Sequence, residues 1–279
     1  MFGGILVPEI AEVETVRNTL KLRILNKKIK EVKVYYPKIL LDDVAHVKQC
    51  LLQESFIDIK RRGKWLIFET ENYYMLSHLR MEGKYFIKRV DDKIEKHEHL
   101  EIVFEDNTSL RYHDTRKFGR IKVLQKNELE SFEPYKKQGI EPIDENLSAN
   151  YLYQKFQKHH LPIKTLLLDQ TIISGLGNIY ANEVLFDAQI SPFKKGNRIT
   201  KKECERIVLS CHKIITKAIE SGGTTIRSYT SSLGVTGRFQ QYLMVHKREN
   251  EECYNCKTKI KKEFIGGRST YYCPKCQKR

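Results

Sequence analysis

Residues 253–276 read CYNCKTKIKKEFIGGRSTYYCPKC. Cys253, Cys256, Cys273 and Cys276 fall as C-x2-C-x16-C-x2-C, two pairs that each fit one tight turn, and four thiolates so placed can close a tetrahedral zinc site. Two disulfides would use the same residues, but three further scattered cysteines, Cys50, Cys204 and Cys211, and a cytosolic setting favour the metal. Between the pairs, IKKEFIGGRSTYY reads as a β-hairpin with Gly266-Gly267-Arg268 at its tip. Beside Lys257, Lys259, Lys261 and Lys262, such a tip suits a phosphate or a groove; the alternative is a purely structural clip.

The charge of the chain favours the first of these. Of the formal +15, +13 falls in residues 191–279, and an excess of this kind reads as nucleic-acid binding, with a membrane surface as the lesser alternative. A 279-residue chain with 40% hydrophobic content can bury a real core. It contains no apolar run of transmembrane length, and the residues after Met1 lack the features of a secretory signal, so the expected location is the cytoplasm.

Upstream, the texture is mixed. From Glu9 to about Leu25, Ile10, Val13, Val16, Leu20 and Ile24 recur at helical spacing behind an acidic first turn. KIKEVKVYY, FIDIKRRGKWLIFET, YYMLSHLRMEGKYFIKR, HLEIVFEDNTSLRYHD and GRIKVLQ read as antiparallel strands, with Asp106-Asn107 at a hairpin tip. A Pro-bearing linker, 134–150, leads to four segments of helical period: YLYQKFQKH, IKTLLLDQ, NIYANEVLFDA and ITKKECERIVLSCHKIITKAIES. Residues 222–239 form a glycine-rich loop long enough to be functional. The expected architecture is α+β: an N-terminal helix and antiparallel β-sandwich (8–133), a helical domain (151–245) and a zinc hairpin (246–279).

Two further patterns carry chemistry only in company. GLGN (175–178) allows a tight turn with Asn178 as N-cap of the next helix; it is either an ordinary helix-turn-helix corner or a phosphate seat. HLRMEG places His78 and Met81, and DTRKFG places Arg116 and Phe118, at strand ends, where Met and Phe serve either as core or as wedges beside arginine in distorted DNA.

Taken together these motifs resemble the formamidopyrimidine-DNA glycosylases, with the endonuclease VIII group as the related alternative. PEIAEVETVR is similar to the family signature PELPEVETVR, and HLRMEGKY, KHEHLEIVF, RYHDTRKFGR, PIKTLLLDQTIISGLGNIYANEVLF and the cysteine pattern follow in family order from Pro8 onward. Within that family, VETVR and the arginine of GRSTYYCP favour the formamidopyrimidine branch over an enzyme for oxidised pyrimidines.

The resemblance implies a glycosylase and AP lyase for oxidised purines in duplex DNA, monomeric and bacterial, with one structural zinc. It implies that Pro8 is the amine nucleophile, that Glu9 handles protons at the sugar, and that Glu12 orders the nucleophile end. Lys64 is implied in β-elimination and Arg268 in δ-elimination and phosphate binding. Met81, Arg116 and Phe118 would fill the gap left by the flipped base, Arg116 facing the orphaned base. His78 would lie on the same DNA-facing surface, and His97, Lys164 and Asn178 would touch the DNA backbone. The loop at 222–239 would cap the lesion. Two positions depart from the family: Ala11 replaces a usual proline, and Arg80 replaces a frequent glycine, expected to be neutral on a DNA-facing surface.

The front of the chain conflicts with this chemistry. As written, the Pro8 nitrogen is an amide delocalised into the Val7 carbonyl and cannot attack. The expectation is that residues 1–7 are a misassigned start, Val7 being the initiator; proteolytic removal and an inactive DNA-binding relative are the alternatives.

Overall fold

A computed structural model describes residues 7–224 and 237–278. Six of the seven expected leader residues and most of the expected capping loop lie outside the described residues. No helix among them is long and apolar enough to cross a membrane. The chain divides into two units, one comprising residues 1–136 and 222–237, the other 137–221 and 238–279.

The first unit opens with α1 (Ile10–Ile24), whose Val13, Val16, Leu20 and Ile24 enter the core as their spacing requires. Two four-stranded antiparallel sheets face one another across that core. One runs β1 (Ile29–Val34), β6 (Glu98–Phe104), β7 (Thr108–His113), β5 (Lys84–Arg89); the other runs β2 (Asp58–Arg62), β3 (Trp65–Glu69), β4 (Tyr73–His78), β8 (Arg120–Gln125). Ile102, Phe104, Leu110 and Tyr112 from the first sheet meet Ile59, Phe68, Met75 and Val123 from the second, a β-sandwich by alternation. A short helix passed over in the sequence, α2 (Val44–Leu51), closes one end, capped by the Asp43 carboxylate on the His46 amide at 2.9 Å. Trp65, Ile67, Leu76 and Leu124 face outward yet are buried, because Leu129, Phe132 and Tyr135 of the segment through α3 (Glu133–Lys136) cover them.

All seven residues of β6 are buried, including Glu98 and Glu101. Arg111, directly across from Glu101 in the register, answers both carboxylates, Nε to Glu101 at 2.9 Å and Nη1 to Glu98 at 3.2 Å. A bulge between Glu98 and Leu100 turns Glu98 onto the same outer face. The guanidinium also donates to the carbonyls of Arg89, Asp92 and Lys93, so one buried side chain folds the 89–97 connection over the sheet.

The second unit carries α4 (Ala149–Phe156), α5 (Ile163–Leu167), α6 (Asn178–Asp187) and α7 (Lys201–Glu220). Helix α7 starts on a Thr200–Glu203 capping box and presents Cys204, Ile207, Cys211 and Ile215 inward. Helix α5 stops at Leu167, shorter than its periodic segment. The reason is local: the Asp169 carboxylate takes the Thr171 amide and hydroxyl, and the Gln170 amide group bonds the Leu168 and Leu176 carbonyls and the Gly175 amide. Those bonds fold the two turns between α5 and α6, with Gly175 at φ +93°. The unit ends in the hairpin β9 (Lys261–Ile265) and β10 (Arg268–Tyr272). Its two-residue turn has both glycines at positive φ, +56° and +74°, the geometry of a type I′ turn, which is why Gly-Gly stands there.

Candidate active site and metal centre

In the first unit the start of α1 gathers the acidic residues of the signature. Pro8 is buried and Glu9, at the N-cap, is only 2% exposed. Glu12 is fully buried: its Oε2 accepts the Glu9 amide at 2.9 Å, and its Oε1 accepts the amide and hydroxyl of Thr224 at 2.8 and 2.9 Å. The acidic turn that looks like a solvent-facing helix start is therefore an interior hydrogen-bond site. Two residues on, Glu14 receives Arg61 Nε at 2.7 Å, and Arg61 also holds the Gly63 carbonyl at 3.1 Å. This pins α1 to the β2–β3 turn, Gly63-Lys64, where Gly63 (φ +56°) supplies the backbone a tight hairpin needs.

The strand-end motifs converge on Tyr112. Gly83, two residues after Met81, and Gly119, just after Phe118, both press on its hydroxyl so closely that a methyl at either would overlap it. The buried Asp114 carboxylate takes the amides of Arg116 (3.0 Å) and Gly119 (2.8 Å), and the Thr115 hydroxyl donates to Glu82. The two loops are thus one assembly, from which Phe118 stands 46% exposed with the Arg116 guanidinium 4.8 Å over its ring. His78 packs edge-on to Trp65 at 5.0 Å, and its Nδ1 accepts the Arg80 amide at 3.0 Å, which puts the ring proton on Nε2. Burial, then the charges of Arg80 and Lys64, pull its pKa down to about 3, so it is neutral. His97 lies 5.7 Å from His113, ring to ring, with Nδ1 buried and unpartnered among the described residues.

The substitution at Arg80 is not neutral. Its φ is +55°, a left-handed conformation that glycine adopts freely and an arginine holds at a cost of about 1 kcal/mol.

In the second unit the structure corrects one assignment. Asn178 is not an N-cap; Gly177 fills that place and Asn178 is the first helical residue, its Nδ2 3.4 Å from Ser269 Oγ. Lys164, placed by the resemblance on the DNA backbone, is fully buried, its Nζ donating to the Ser269 carbonyl and the Thr270 hydroxyl at 2.8 Å each. Its ammonium thus serves the hairpin that ends in the exposed Arg268. Lys164→Met should lower unfolding free energy by about 2 kcal/mol and speed zinc transfer to a chromogenic chelator. Weaker DNA binding with unchanged zinc release would instead put the ammonium on DNA.

The four cysteine sulfurs all lie within 4.8 Å of one another, with Cys256–Cys273 at 3.4 Å and Cys253–Cys276 at 3.9 Å. A tetrahedron with bonds of roughly 2.3 Å separates its sulfurs by about 3.8 Å, so the set fits zinc. Each pair rides a turn, Lys257 N–H to the Cys253 carbonyl and Gln277 N–H to the Cys273 carbonyl, both at 2.9 Å. Gln277 Nε2 reaches back to the Ile190 carbonyl at 3.0 Å.

Sequence reasoning passed over the partners that seat this module. Within NIYANEVLF, Glu183 is buried and accepts the amides of Met244, Val245 and His246 at 2.8, 3.1 and 2.8 Å, and burial raises its pKa against those hydrogen bonds. Asn182 donates to His246 Nδ1 at 2.8 Å, and burial takes that histidine to about 3. The available signal was two adjacent polar residues inside an otherwise apolar helix.

Three family descriptions match the chain in order: the formamidopyrimidine-DNA glycosylase N-terminal domain over residues 7–121, the H2TH domain of that glycosylase over 138–230, and the zinc finger found in FPG and IleRS over 250–279. The formamidopyrimidine-DNA glycosylase of a Bacillus cereus strain is 43% identical over 275 residues, covering 98% of this chain and 100% of its own. That of Oceanobacillus iheyensis is 39% identical, covering 97% and 98%. Among solved structures, Lactococcus lactis Fpg with DNA containing an abasic site has TM-score 0.92 at 39% identity, covering 97% of this chain and 100% of its own. A variant of that protein with DNA containing Fapy-dG has TM-score 0.93 at 39% identity, covering 98% and 100%. Sandwich, helical unit and cysteine cluster together define a base-excision DNA-repair glycosylase with a zinc finger. The chain belongs to the formamidopyrimidine-DNA glycosylase family.

Proposed function

We propose that this protein excises oxidised purines, 8-oxoguanine and formamidopyrimidines, from duplex DNA and then cuts the abasic strand by β,δ-elimination, working as a monomer in the bacterial cytoplasm. The observation that carries the reading is the buried end of α1, where Pro8 adjoins a Glu9 whose amide is held by Glu12. The free Pro8 amine attacks C1′ as the C1′–N bond to the base breaks, the base leaving with that electron pair and taking up a proton; the amine then gives up its own proton, and its lone pair forms the C1′=N iminium as the C1′–O4′ bond breaks and O4′ is protonated. Glu9 exchanges the protons this step needs at the sugar. The iminium acidifies C2′; loss of that proton expels the 3′ phosphate, and a second elimination expels the 5′ phosphate. Lys64 serves the first elimination and Arg268 the second.

Met81, Arg116 and Phe118 occupy the vacated stack, their grip offsetting an unstacking cost of a few kcal/mol. His78 lies beside them, and His97 and Asn178 take the DNA backbone. One zinc, held by Cys253, Cys256, Cys273 and Cys276, keeps the hairpin folded and takes no part in the reaction.

The test is borohydride trapping. The chain beginning at Pro8, incubated with an 8-oxoguanine:C duplex and borohydride, should yield a covalent protein–DNA adduct, and without borohydride a gap flanked by two phosphates. An adduct only with oxidised pyrimidines would overturn the substrate class. No adduct with any lesion or abasic site would overturn the Schiff-base mechanism.

A further inference from the structure

The proposed mechanism gives Glu12 a local duty at the nucleophile end, yet one of its two carboxylate oxygens is turned elsewhere. Its partner Thr224 lies 212 residues away in sequence, at the start of the glycine-rich stretch that follows α7. The two oxygens divide the work: Oε2 serves the Glu9 amide, and Oε1 serves the Thr224 amide and hydroxyl. The carboxylate is fully buried, so moving either set of donors leaves an interior acceptor unmet or drags the side chain along.

The stem residues are cut to fit it. Gly222 and Gly223 have φ of +71° and +75°, a pair of left-handed positions that places the Thr224 amide on Glu12. A Cβ on Gly223 would lie 2.8 Å from Glu12 Oε1 and 3.1 Å from its Cγ. Gly237, on the other arm of the stem, packs so tightly that its own Cβ would lie 2.5 Å from the Gly223 carbonyl oxygen, 2.7 Å from that of Gly222 and 2.9 Å from that of Thr224. Gly223 is therefore fitted to the carboxylate and Gly237 to the backbone of the arm that bears it, and neither has room for a methyl.

We propose that Glu12 is a positioning residue that couples the Gly222–Thr224 stem to the Pro8–Glu9 end of α1, so that the nucleophile is held for attack only while the stem is seated. The proposal rests on the Schiff-base reading and deepens it. Its physical basis is the steep dependence of bond formation on placement, where a 1 Å error costs on the order of 100-fold in rate.

The test is the single-turnover rate of borohydride trapping on DNA containing a natural abasic site, read beside affinity for a non-cleavable abasic analogue. Gly223→Ala puts a methyl against Oε1, Thr224→Val removes only the hydroxyl donor, and Glu12→Gln sets an amide donor among the three donors. Gly223→Ala and Glu12→Gln should each slow trapping roughly 10- to 100-fold, with affinity changed less than about threefold and both proteins still folded at the assay temperature, their denaturation midpoints lowered by a few degrees. If Gly223 acts through Glu12, the Gly223→Ala/Glu12→Gln double variant traps no more slowly than Glu12→Gln alone. Thr224→Val, the least disruptive change, should give a smaller loss with the same non-additivity. Multiplicative losses, or wild-type trapping by both Gly223→Ala and Thr224→Val, overturn the coupling while leaving the Schiff-base reading intact. Absence of adduct from wild-type protein overturns that reading and the coupling with it.

Discussion

A chain that retains Val7 ahead of Pro8 will form no borohydride-stable adduct with lesion or abasic DNA, and the same chain with Pro8 as its first residue will. The expected difference is at least about 10³-fold, because acylation of the nitrogen removes the lone pair that makes the covalent route possible. The fold should not register the change. Helix α1 begins at Ile10, and the buried amides at its start are answered from within, the Glu9 amide by Glu12 and the Val13 amide by the Glu9 carbonyl at 3.0 Å. Nothing before Pro8 is needed for those bonds. Two preparations with N-termini verified by mass spectrometry, compared for trapping rate and denaturation midpoint, decide the matter. Equal trapping by the chain that keeps Val7 would remove Pro8 from the nucleophile's role.

Arg111→Met will cost about 3–5 kcal/mol of unfolding free energy, a large share of the roughly 5–15 kcal/mol available to a typical domain. The loss comes less from the missing bonds than from what stays behind, two buried carboxylates without their shared cation. Glu98 keeps Lys88 at 2.7 Å and the Glu95 amide at 3.1 Å, and Glu101 keeps the Tyr35 hydroxyl at 2.7 Å and Lys33 at 3.8 Å, but none of these spans both groups. The connection through Arg89, Asp92 and Lys93 also loses its donors, and it leads into His97. Urea denaturation with tryptophan fluorescence reads the effect through Trp65. Replacing Glu98 and Glu101 by leucine in the same variant should restore much of the loss, because a matched apolar set has no stranded charge. A single-variant loss under about 1 kcal/mol would show that the network is not what holds this face.

Much of the architecture is legible in short stretches because the forces that set it act over a few residues. Apolar spacing in residues 10–24 makes one face of a helix, and the sheet strands follow their alternation. The failures are as local as the successes. Helix α5 ends early because Asp169 and Gln170 bond nearby backbone groups, and periodicity does not count such side-chain competition. Gly177 rather than Asn178 caps α6; Asn178 is already helical and turns its amide group to Ser269. Helix α2 does carry Val44, Val47 and Leu51 at helical spacing behind its Asp43 cap, a short signal that was passed over beside the surrounding strand pattern.

What the sequence by itself determined is the set of chemical possibilities: a four-thiolate zinc module by cysteine spacing, a hairpin tip at Gly-Gly, an acidic helix start behind a proline, and a basic C-terminal third. Only the tertiary structure decided what the buried polar groups do. Glu12 meets Thr224 across 212 positions, Lys164 meets Thr270 across 106, and Glu183 meets the amides of 244–246 across 61 to 63. A buried carboxylate or ammonium must be answered, and this demand is visible in the residue type. Which group answers it depends on which distant segments the apolar core brings together, and no local pattern encodes that.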